Sequence, residues 1–164
     1  MKISFYYVDA EYVQYLKEIE FSKRGFTCVP NMEYHNYDKF VYGVVLSVNG
    51  VDYYVPFSHY DRQQEDNILI KVDYHKKEKV AGSLRFNYMF PVPKSCLTPV
   101  NFSDFPEDRK VLLRKEYKAC LASLSKIQKK ALKTYARVIN GKSDELIRNS
   151  CMFLELEDAC KKYD

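Results

Sequence analysis

The sequence predicts an α+β protein in which a small antiparallel, barrel-like sheet packs against several helices. Three observations lead to this prediction. Residues 1–100 are rich in β-branched and aromatic side chains, Asn49-Gly50 marks a hairpin within them, and the chain beyond residue 106 places apolar residues at helical spacing. With 164 residues, 46% of them hydrophobic, the chain can bury a core as one domain without disulfide bonds.

The chain opens with a predicted strand and helix. Residues 2–8, KISFYYV, are mostly apolar and aromatic, as strand residues commonly are. Asp9 is a suitable N-cap for a helix whose apolar residues recur at helical spacing. Residues 22–38 contain glycine, proline and several Asn and His residues, so we expect a loop there. The apolar helical positions are Tyr12, Tyr15, Leu16 and Ile19.

The hairpin consists of two β-rich runs, Phe40–Val48 and Val51–Phe57, joined by Asn49-Gly50. This dipeptide suits the positive φ angles of a type I′ turn, so the two strands run antiparallel. Pro56 has no backbone donor, and it therefore marks an edge, a bulge or the end of the second strand.

Reactive side chains cluster at the open end of this hairpin. Symmetric pairing across a two-residue turn predicts that Lys39 lies near Tyr60. The lysine ammonium could then reach the Ser58 hydroxyl or the His59 imidazole. Taken singly, each has an ordinary alternative: an edge charge, a turn hydroxyl and a surface histidine.

Two further strands are predicted before residue 100. A polar loop over residues 61–66 leads to a short strand, Ile68–Val72, and a lysine-rich turn follows it. The next apolar run, Ser83–Val92, ends at Pro91 and Pro93, which a central strand would not tolerate.

The rest of the chain reads as helical. Asp104 and Glu107 resemble a capping box, and an apolar stripe then continues to Asn140-Gly141, a good helix stop. We expect one long or broken helix of about thirty residues, and two shorter helices after it, Ser143–Asn149 and Phe153–Lys161. The stripe contains Leu113, Tyr117, Cys120, Leu124, Ile127, Ala131 and Val138.

Positive charge is concentrated in this helical part. Residues 109–148 contain 12 Lys and Arg against 3 Asp and Glu, a net charge of +9, whereas the other residues sum to −5. Such a segment attracts polyanions, including nucleic acids, in a salt-dependent way. A solvated helix face is the alternative interpretation of the same pattern.

The five cysteines are scattered and show no metal-binding spacing, so we expect free thiols, no metal and no cofactor. The N-terminal residues carry charges at Asp9 and Glu11 and lack an apolar signal region, and no run is long enough to span a membrane. These features predict a cytoplasmic protein.

Four motifs, in order along the chain, resemble the type III toxin-antitoxin endoribonucleases, the ToxN, AbiQ and CptN family. They are FYYVDAEYVQYLKE near the N-terminus, the hairpin KFVYGVVL followed by YYVPFS, the strand GSLRFNYMFP and the basic helix after residue 106. Each motif is loose, but their shared order and spacing cover most of the chain.

The resemblance implies a single toxin domain over residues 1–164 with an SH3-like barrel similar to the MazF and Kid toxins. Members of the family cut RNA at preferred sequences without a metal and process their own repeat transcript. The folded RNA repeats, expected to be pseudoknots, then inhibit them in a closed cyclic protein–RNA assembly. Members act in plasmid maintenance and abortive phage defence. Cellular or phage mRNA would be the substrate.

The resemblance also assigns residues. Lys39 and Ser58 match the family's active-site lysine and hydroxyl, and Tyr12 matches a tyrosine near that groove. Members usually carry a second hydroxyl and then a lysine after the first hydroxyl. This chain has His59, Tyr60, Asp61 and Arg62 instead, so His59 either replaces the second hydroxyl or sits beside the site.

RNA cleavage without a metal needs a base for the 2′-OH proton, positive charge for the transition state, and an acid for the leaving oxygen. Histidine changes charge near neutral pH, and we therefore predict that His59 acts as base or acid. Lys39 would stabilise the phosphate oxygens and Ser58 would donate a hydrogen bond to them. A non-catalytic RNA-binding module with the same SH3-like sheet is the main alternative. Further candidates for RNA contacts are Tyr12, His35, Arg62, Arg85, Lys115 and Lys118.

Overall fold

The computed structural model describes residues 3–32 and 39–163. Within these residues the protein is α+β, as predicted. Three single turns of 3-10 helix, at Phe86–Tyr88, Lys94–Cys96 and Phe102–Asp104, connect some of its elements. The strands are β1 (Ser4–Val8), β2 (Val41–Val48), β3 (Val51–Ser58), β4 (Asn67–Tyr74), β5 (Lys77–Arg85), β6 (Phe90–Pro91) and β7 (Leu97–Pro99), and the helices are α1 (Ala10–Arg24), α2 (Glu107–Ala122), α3 (Leu124–Ile139), α4 (Asp144–Arg148) and α5 (Phe153–Lys162).

The seven strands form one antiparallel sheet. Its order is β4-β5-β3-β2-β1-β7, and β6 pairs with β3 away from this path. Strand β3 therefore lies between β2 and β5 at its C-terminal end. Among the described residues these pairings form an open sheet. They do not show the closed barrel that was expected from the sequence.

The predicted hairpin is present, with one difference in register. Asn49 has a φ of 53° and Gly50 a φ of 80°, as a type I′ turn requires. Near the turn Leu46 pairs with Tyr53, but beyond a bulge Gly43 pairs with Tyr54. The bulge inserts two extra residues into β2, so the pairing at the open end differs by two residues from the symmetric prediction.

The strand predicted over Ser83–Val92 was wrong in its extent. Strand β5 covers Lys77–Arg85 and pairs with β4 along its length, and a 3-10 turn then separates it from the two-residue β6. The β4–β5 turn uses positive φ angles at His75 (50°) and Lys76 (63°), which marks a second tight hairpin that no Asn-Gly signal announced.

The capping box was also wrong. Helix α2 begins at Glu107, with Pro106 as the N-cap and no side-chain cap hydrogen bond. Phe105 precedes a proline and has extended backbone angles (φ −102°, ψ 153°), so the helix cannot start at Asp104. The long helix is two helices of 16 residues each, α2 and α3, separated at Ser123.

A buried aromatic cluster supports the open end of the hairpin. The ring of Phe5 lies 4.5 Å from that of Phe40 and 5.9 Å from that of Phe57, and all three residues are buried. Successive side chains in a strand point to opposite faces. Lys39 and Ser58, which neighbour Phe40 and Phe57 in sequence, therefore leave the sheet on the face opposite this cluster.

None of the helices in the described residues is both long and apolar enough to cross a membrane. The five cysteines are free thiols, as expected.

Candidate active site

A cavity of about 1210 Å³ lies at the open end of the hairpin. Its walls come from separate parts of the chain: the loop after α1, the residues just before β2, the end of β3, the end of β5 and the start of α2. Lys39, Ser58, His59 and Arg85 all line it. Small-molecule sites commonly measure about 300 to 1,000 Å³, so this cavity is at the large end of that range or beyond it.

Lys39 lies opposite Ser58. Val41 pairs with Pro56, and the backbone N–H of Phe57 donates to the carbonyl oxygen of Phe40 at 3.1 Å. Continuing this register by one residue places Lys39 opposite Ser58, and opposed residues of an antiparallel pair present their side chains on the same face. The lysine and the hydroxyl are therefore neighbours.

The Ser58 hydroxyl is oriented by the chain that follows it. Its Oγ accepts a hydrogen bond from the backbone N–H of Tyr60 at 3.2 Å, which holds the two residues in a tight turn. Within the described residues the Ser58 hydroxyl makes this one hydrogen bond, in which its oxygen is the acceptor. The O–H group thus keeps its own hydrogen for a further acceptor, such as a phosphate oxygen.

His59 is exposed at the cavity wall, directly after Ser58. Solvent access leaves its imidazole able to exchange protons with water, which a general acid or base must do between turnovers.

Arg85 is held between two aromatic rings. Its guanidinium carbon lies 4.5 Å from the ring centroid of Tyr60 and 4.6 Å from that of Tyr88, within the range of cation–π attraction. Its Nη2 also donates to the side-chain oxygen of Gln64 at 3.3 Å. Its Nε is buried and has no hydrogen-bond partner among the described residues.

The loop wall of the cavity depends on a buried carboxylate in α1. Glu20 accepts hydrogen bonds from the Thr27 hydroxyl at 2.9 Å and the Cys28 backbone N–H at 2.8 Å, and it pairs with Arg24 at 3.1 Å. The backbone N–H of Met152 donates to its second oxygen. Thr27 and Cys28 line the cavity, so this cluster fixes the position of that wall.

The loop that follows His59 is anchored at two places. The buried Asn67 donates to the carbonyl oxygen of Arg62 at 2.9 Å and accepts from the backbone N–H of Gln64 at 2.8 Å. Arg137 of α3 pairs with Glu65 at 3.1 Å and with Asp66 at 3.2 Å. These contacts hold the loop that directly follows the cavity residues His59 and Tyr60.

The start of α2 contributes a further cation to the cavity. Arg109 lines the cavity and pairs with the buried Glu116 at 3.2 Å, two helical turns away. Burial raises the pKa of the Glu116 carboxyl to about 6, and the nearby Arg109 charge offsets part of this increase.

Comparison with known proteins places this architecture in a family. A family model described as "Toxin ToxN, type III toxin-antitoxin system" matches residues 4–161. The chain belongs to the ToxN toxin family.

Two characterised relatives of this toxin are similar over nearly its whole length. Endoribonuclease ToxN of Bacillus thuringiensis subsp. kurstaki is 27% identical, over 97% of this chain and 83% of its own. Endoribonuclease AbiQ of Lactococcus lactis subsp. lactis is 26% identical, over 99% and 90%.

Solved structures share the fold of this toxin. One is of a type III toxin-antitoxin system with selective toxin inhibition by a non-coding RNA pseudoknot; it has a TM-score of 0.84 and 24% identity, over 99% of this chain and 98% of that one. The structure of AbiQ, a lactococcal anti-phage endoribonuclease, has a TM-score of 0.78 and 23% identity, over 98% and 97%.

Four of the residues selected from the toxin's sequence come together at the cavity. Lys39, Ser58, His59 and Arg85 line it, although they come from three parts of the chain. Their assignment to catalysis or RNA binding stays a prediction.

The other candidates lie elsewhere. Tyr12 is fully buried, and its hydroxyl donates to the Pro91 carbonyl oxygen at 2.6 Å, so it is a core residue and not part of the cavity wall. Lys115 donates to the Asp73 carbonyl oxygen at 2.7 Å. Arg62 and Lys118 are exposed and do not line the cavity. His35 lies outside the described residues.

Three cavity residues of the toxin were missed by sequence reasoning. Tyr60 and Tyr88 enclose Arg85, and Arg109 comes from α2. Tyr88 lies within the GSLRFNYMFP motif, which was the available signal for it, whereas an aromatic enclosure formed by distant segments has no signature in a linear sequence.

Residues 3–32 and 39–163 contain no group of three or more His, Cys, Asp or Glu side chains arranged to hold a metal ion.

Proposed function

We propose that this protein is an endoribonuclease toxin that cuts RNA at preferred sequences without a metal, leaving 2′,3′-cyclic phosphate and 5′-hydroxyl ends. The observation that carries the proposal is the placement of Lys39 opposite Ser58, with His59 beside them in one cavity. Membership of the ToxN family supports it, as do the activities of the two relatives, both of which are endoribonucleases.

In the proposed reaction the 2′-oxygen of the substrate attacks the adjacent phosphorus, and the bond from phosphorus to the 5′-oxygen breaks. The proton of the 2′-hydroxyl goes to a base, and the leaving 5′-oxygen receives a proton from an acid. His59 is the titratable side chain next to Ser58 and serves one of these two roles.

Lys39 and Ser58 act on the phosphate. The Lys39 ammonium stabilises the negative charge that develops on the non-bridging oxygens, and losing one such donor costs about 3 to 4 kcal/mol in transition-state stabilisation. The Ser58 hydroxyl donates a hydrogen bond to the same group while the Tyr60 N–H holds it in place. Ser58 is a positioning donor in this scheme and forms no covalent bond.

The proposed partner is an RNA antitoxin made of folded repeats, which the toxin cuts from its own transcript and which then inhibits it in a closed cyclic assembly. Support comes from related structures, one a toxin inhibited by an RNA pseudoknot and another an antiviral system regulated by a processed non-coding RNA. AbiQ is described as anti-phage, which supports a role in abortive phage defence. Tandem short repeats ahead of a terminator, upstream of the gene, are the expected genomic signature.

The test is incubation of purified protein with RNA in EDTA, followed by mass spectrometry of the new ends. We expect cleavage by the wild type and strongly reduced cleavage by Lys39→Met, Ser58→Ala and His59→Asn. Lys162→Met, an exposed lysine of α5, and His75→Asn, in the β4–β5 turn, are the matched controls and should cleave normally. Asparagine is chosen at residue 75 because it tolerates the positive φ there.

Intact RNA after incubation with the wild type would contradict the enzyme and favour the non-catalytic RNA-binding module. Cleavage that persists in Lys39→Met would support an endoribonuclease but contradict the active site proposed for it. Ends carrying a 5′-phosphate would contradict the proposed chemistry.

A further inference from the structure

Ser58 lies on a strand between two neighbours that each carry a cation at this end of the sheet: Lys39 lies just before β2, and Arg85 ends β5. Strand β3 is flanked at this end by β2, which brings Lys39 opposite Ser58, and by β5, which pairs Ser83 with Ser58. Arg85 follows Ser83 by two residues in a regular part of β5, so its side chain leaves on the same face as Ser83 and Ser58. A phosphate over the Ser58 hydroxyl would therefore have a cation on each side.

We propose that Arg85 is a second catalytic cation, which contacts the non-bridging oxygens of the scissile phosphate from the side opposite Lys39. This proposal rests on the endoribonuclease function proposed above. It adds a specific residue, and it identifies the anion that the cavity binds as a phosphodiester held between a lysine and an arginine.

The structure keeps Arg85 in place before any substrate binds. Tyr60 and Tyr88 enclose the guanidinium at 4.5 and 4.6 Å, and Gln64 accepts one of its N–H groups. A long, flexible side chain loses rotamer entropy when it binds a ligand, and this enclosure has already restricted Arg85. A donor fixed in advance stabilises a transition state without reorganisation at the moment of reaction.

The guanidinium also has donors to offer. It carries five N–H groups, of which Gln64 takes one, and the buried Nε has no partner among the described residues. Because Nε is shielded from solvent, a phosphate would meet the guanidinium through its Nη hydrogens. Phosphate oxygens accept two parallel N–H bonds from arginine, a geometry that lysine cannot supply.

A structural role is the competing explanation, since Arg85 could simply hold Tyr60, Tyr88 and Gln64 together. The two roles differ in their response to lysine. If Arg85 contacts phosphate through its fork, Arg85→Lys keeps the charge but loses the paired N–H bonds. If Arg85 only supports the loop, its variants lose activity because they are less stable, and Gln64→Ala should lower stability and activity to a similar extent.

The experiment is single-turnover cleavage of a short RNA by wild type, Arg85→Lys, Arg85→Ala, Gln64→Ala and the off-site control Lys162→Met. We expect Arg85→Ala to lower the single-turnover rate by about 100-fold to 1,000-fold with a much smaller change in KM. Arg85→Lys should recover only part of the rate, and millimolar free guanidinium should partly restore Arg85→Ala. Lys162→Met should retain the full rate, and Gln64→Ala should lose much less rate than Arg85→Ala because Tyr60 and Tyr88 still enclose the guanidinium.

Thermal unfolding of each variant completes the test. A rate of Arg85→Ala within threefold of wild type overturns the proposal, as does a loss explained by the unfolded fraction or unaffected by guanidinium. Failure of the underlying function looks different: the wild type itself leaves the RNA intact. If the wild type and Arg85→Ala both cleave at similar rates, the endoribonuclease function stands and only the role of Arg85 is contradicted.

Discussion

Gly82 of β5 packs directly against the backbone of Ser58. A β-carbon built on Gly82 would overlap the carbonyl oxygen of Ser58 and would lie 2.8 Å from the Cε1 atom of Phe57. The absence of a side chain at Gly82 therefore allows β5 to approach β3 at the point where the candidate catalytic hydroxyl leaves the sheet.

We predict that Gly82→Ala lowers both stability and activity. The overlap involves backbone, which a rotamer change cannot relieve, so the expected cost is about 1 to 3 kcal/mol in the free energy of unfolding. The turnover of the folded fraction should also fall, because Ser58 must shift. Urea unfolding and cleavage assays measure the two effects.

Gly141→Ala is the control for this variant. Gly141 has a positive φ of 64° and open space around it, its nearest atom being 4.0 Å away in Ile147. The alanine there should cost stability through backbone strain and leave the activity of the folded fraction unchanged. Equal activity loss in both variants would contradict a specific effect at Ser58.

Glu20 provides a second prediction. Both of its carboxylate oxygens accept hydrogen bonds, from Arg24, Thr27 and Cys28 on one oxygen and from Met152 on the other. Glu20→Gln turns one of these oxygens into a donor that faces other donors. We expect a loss of about 3 kcal/mol or more in unfolding free energy, together with a raised KM for RNA as the cavity wall loosens.

The matched variant is Glu18→Gln, an exposed position on the same helix. It should change the unfolding free energy by less than about 0.5 kcal/mol. A Glu20→Gln protein as stable as Glu18→Gln would show that the buried carboxylate is not needed for this wall.

The hairpin turn has a function beyond its backbone shape. The side-chain amide of Asn49 donates to Glu157 at 2.8 Å and to the Tyr135 hydroxyl at 3.3 Å, and the same carboxylate accepts from Tyr53 at 2.6 Å. Asn49→Gly keeps the positive φ but removes these donors. We therefore expect a loss of about 1.5 to 3 kcal/mol, measured by urea unfolding.

Asn49→Asp tests the same network with charge. A carboxylate at this position would face Glu157, so the destabilisation should exceed that of Asn49→Gly at pH 7 and should diminish on acidification as one carboxyl takes a proton. If glycine were tolerated without loss, the turn residue would matter only for its φ angle.

The Glu116 carboxyl predicts a pH dependence of stability. Its pKa is about 6 in the folded protein against an ordinary value of 4.5, mainly because of burial. Between these two pH values the folded state binds more protons than the unfolded state. The unfolding free energy should therefore fall by about 2 kcal/mol as pH rises from below 4.5 to above 6.

Comparing wild type with Glu116→Gln isolates this contribution, because the glutamine cannot ionise. The difference in unfolding free energy between the two proteins should change with pH over this window and be constant outside it. Glu145→Gln, at an exposed position in α4, is the control and should leave the pH profile unchanged. A pH-independent difference for Glu116→Gln would contradict the raised pKa.

Local patterns in the sequence were sufficient for most elements. Asn49-Gly50 predicted its turn because few other residues accept positive φ at two successive positions, and the observed angles confirm it. Helices α1 and α5 begin and end close to their predicted bounds. The capping box failed because Pro106 constrains the residue before it more strongly than Asp104 favours a helix start.

Charge was the least informative pattern. The basic segment over residues 109–148 predicted a polyanion-binding face, yet several of its cations make intramolecular contacts. Lys130 donates to the Glu65 carbonyl oxygen at 2.8 Å, and Arg137 and Arg109 form ion pairs. Arg109 is the member of this segment that lines the described cavity. A count of charges does not distinguish a cation that binds a ligand from one that holds a loop.

By itself the sequence determined the α+β class and the hairpin, and it pointed to the candidate residues Lys39, Ser58 and His59 at the open end of that hairpin. Tertiary structure alone decided their geometry. The bulge in β2 placed Lys39 opposite Ser58, and the pairing of β3 with β5 brought Arg85 to the same face. Turns and helix ends follow from a few adjacent residues, whereas strand register and aromatic enclosure depend on contacts between distant segments, and these form only when the core packs.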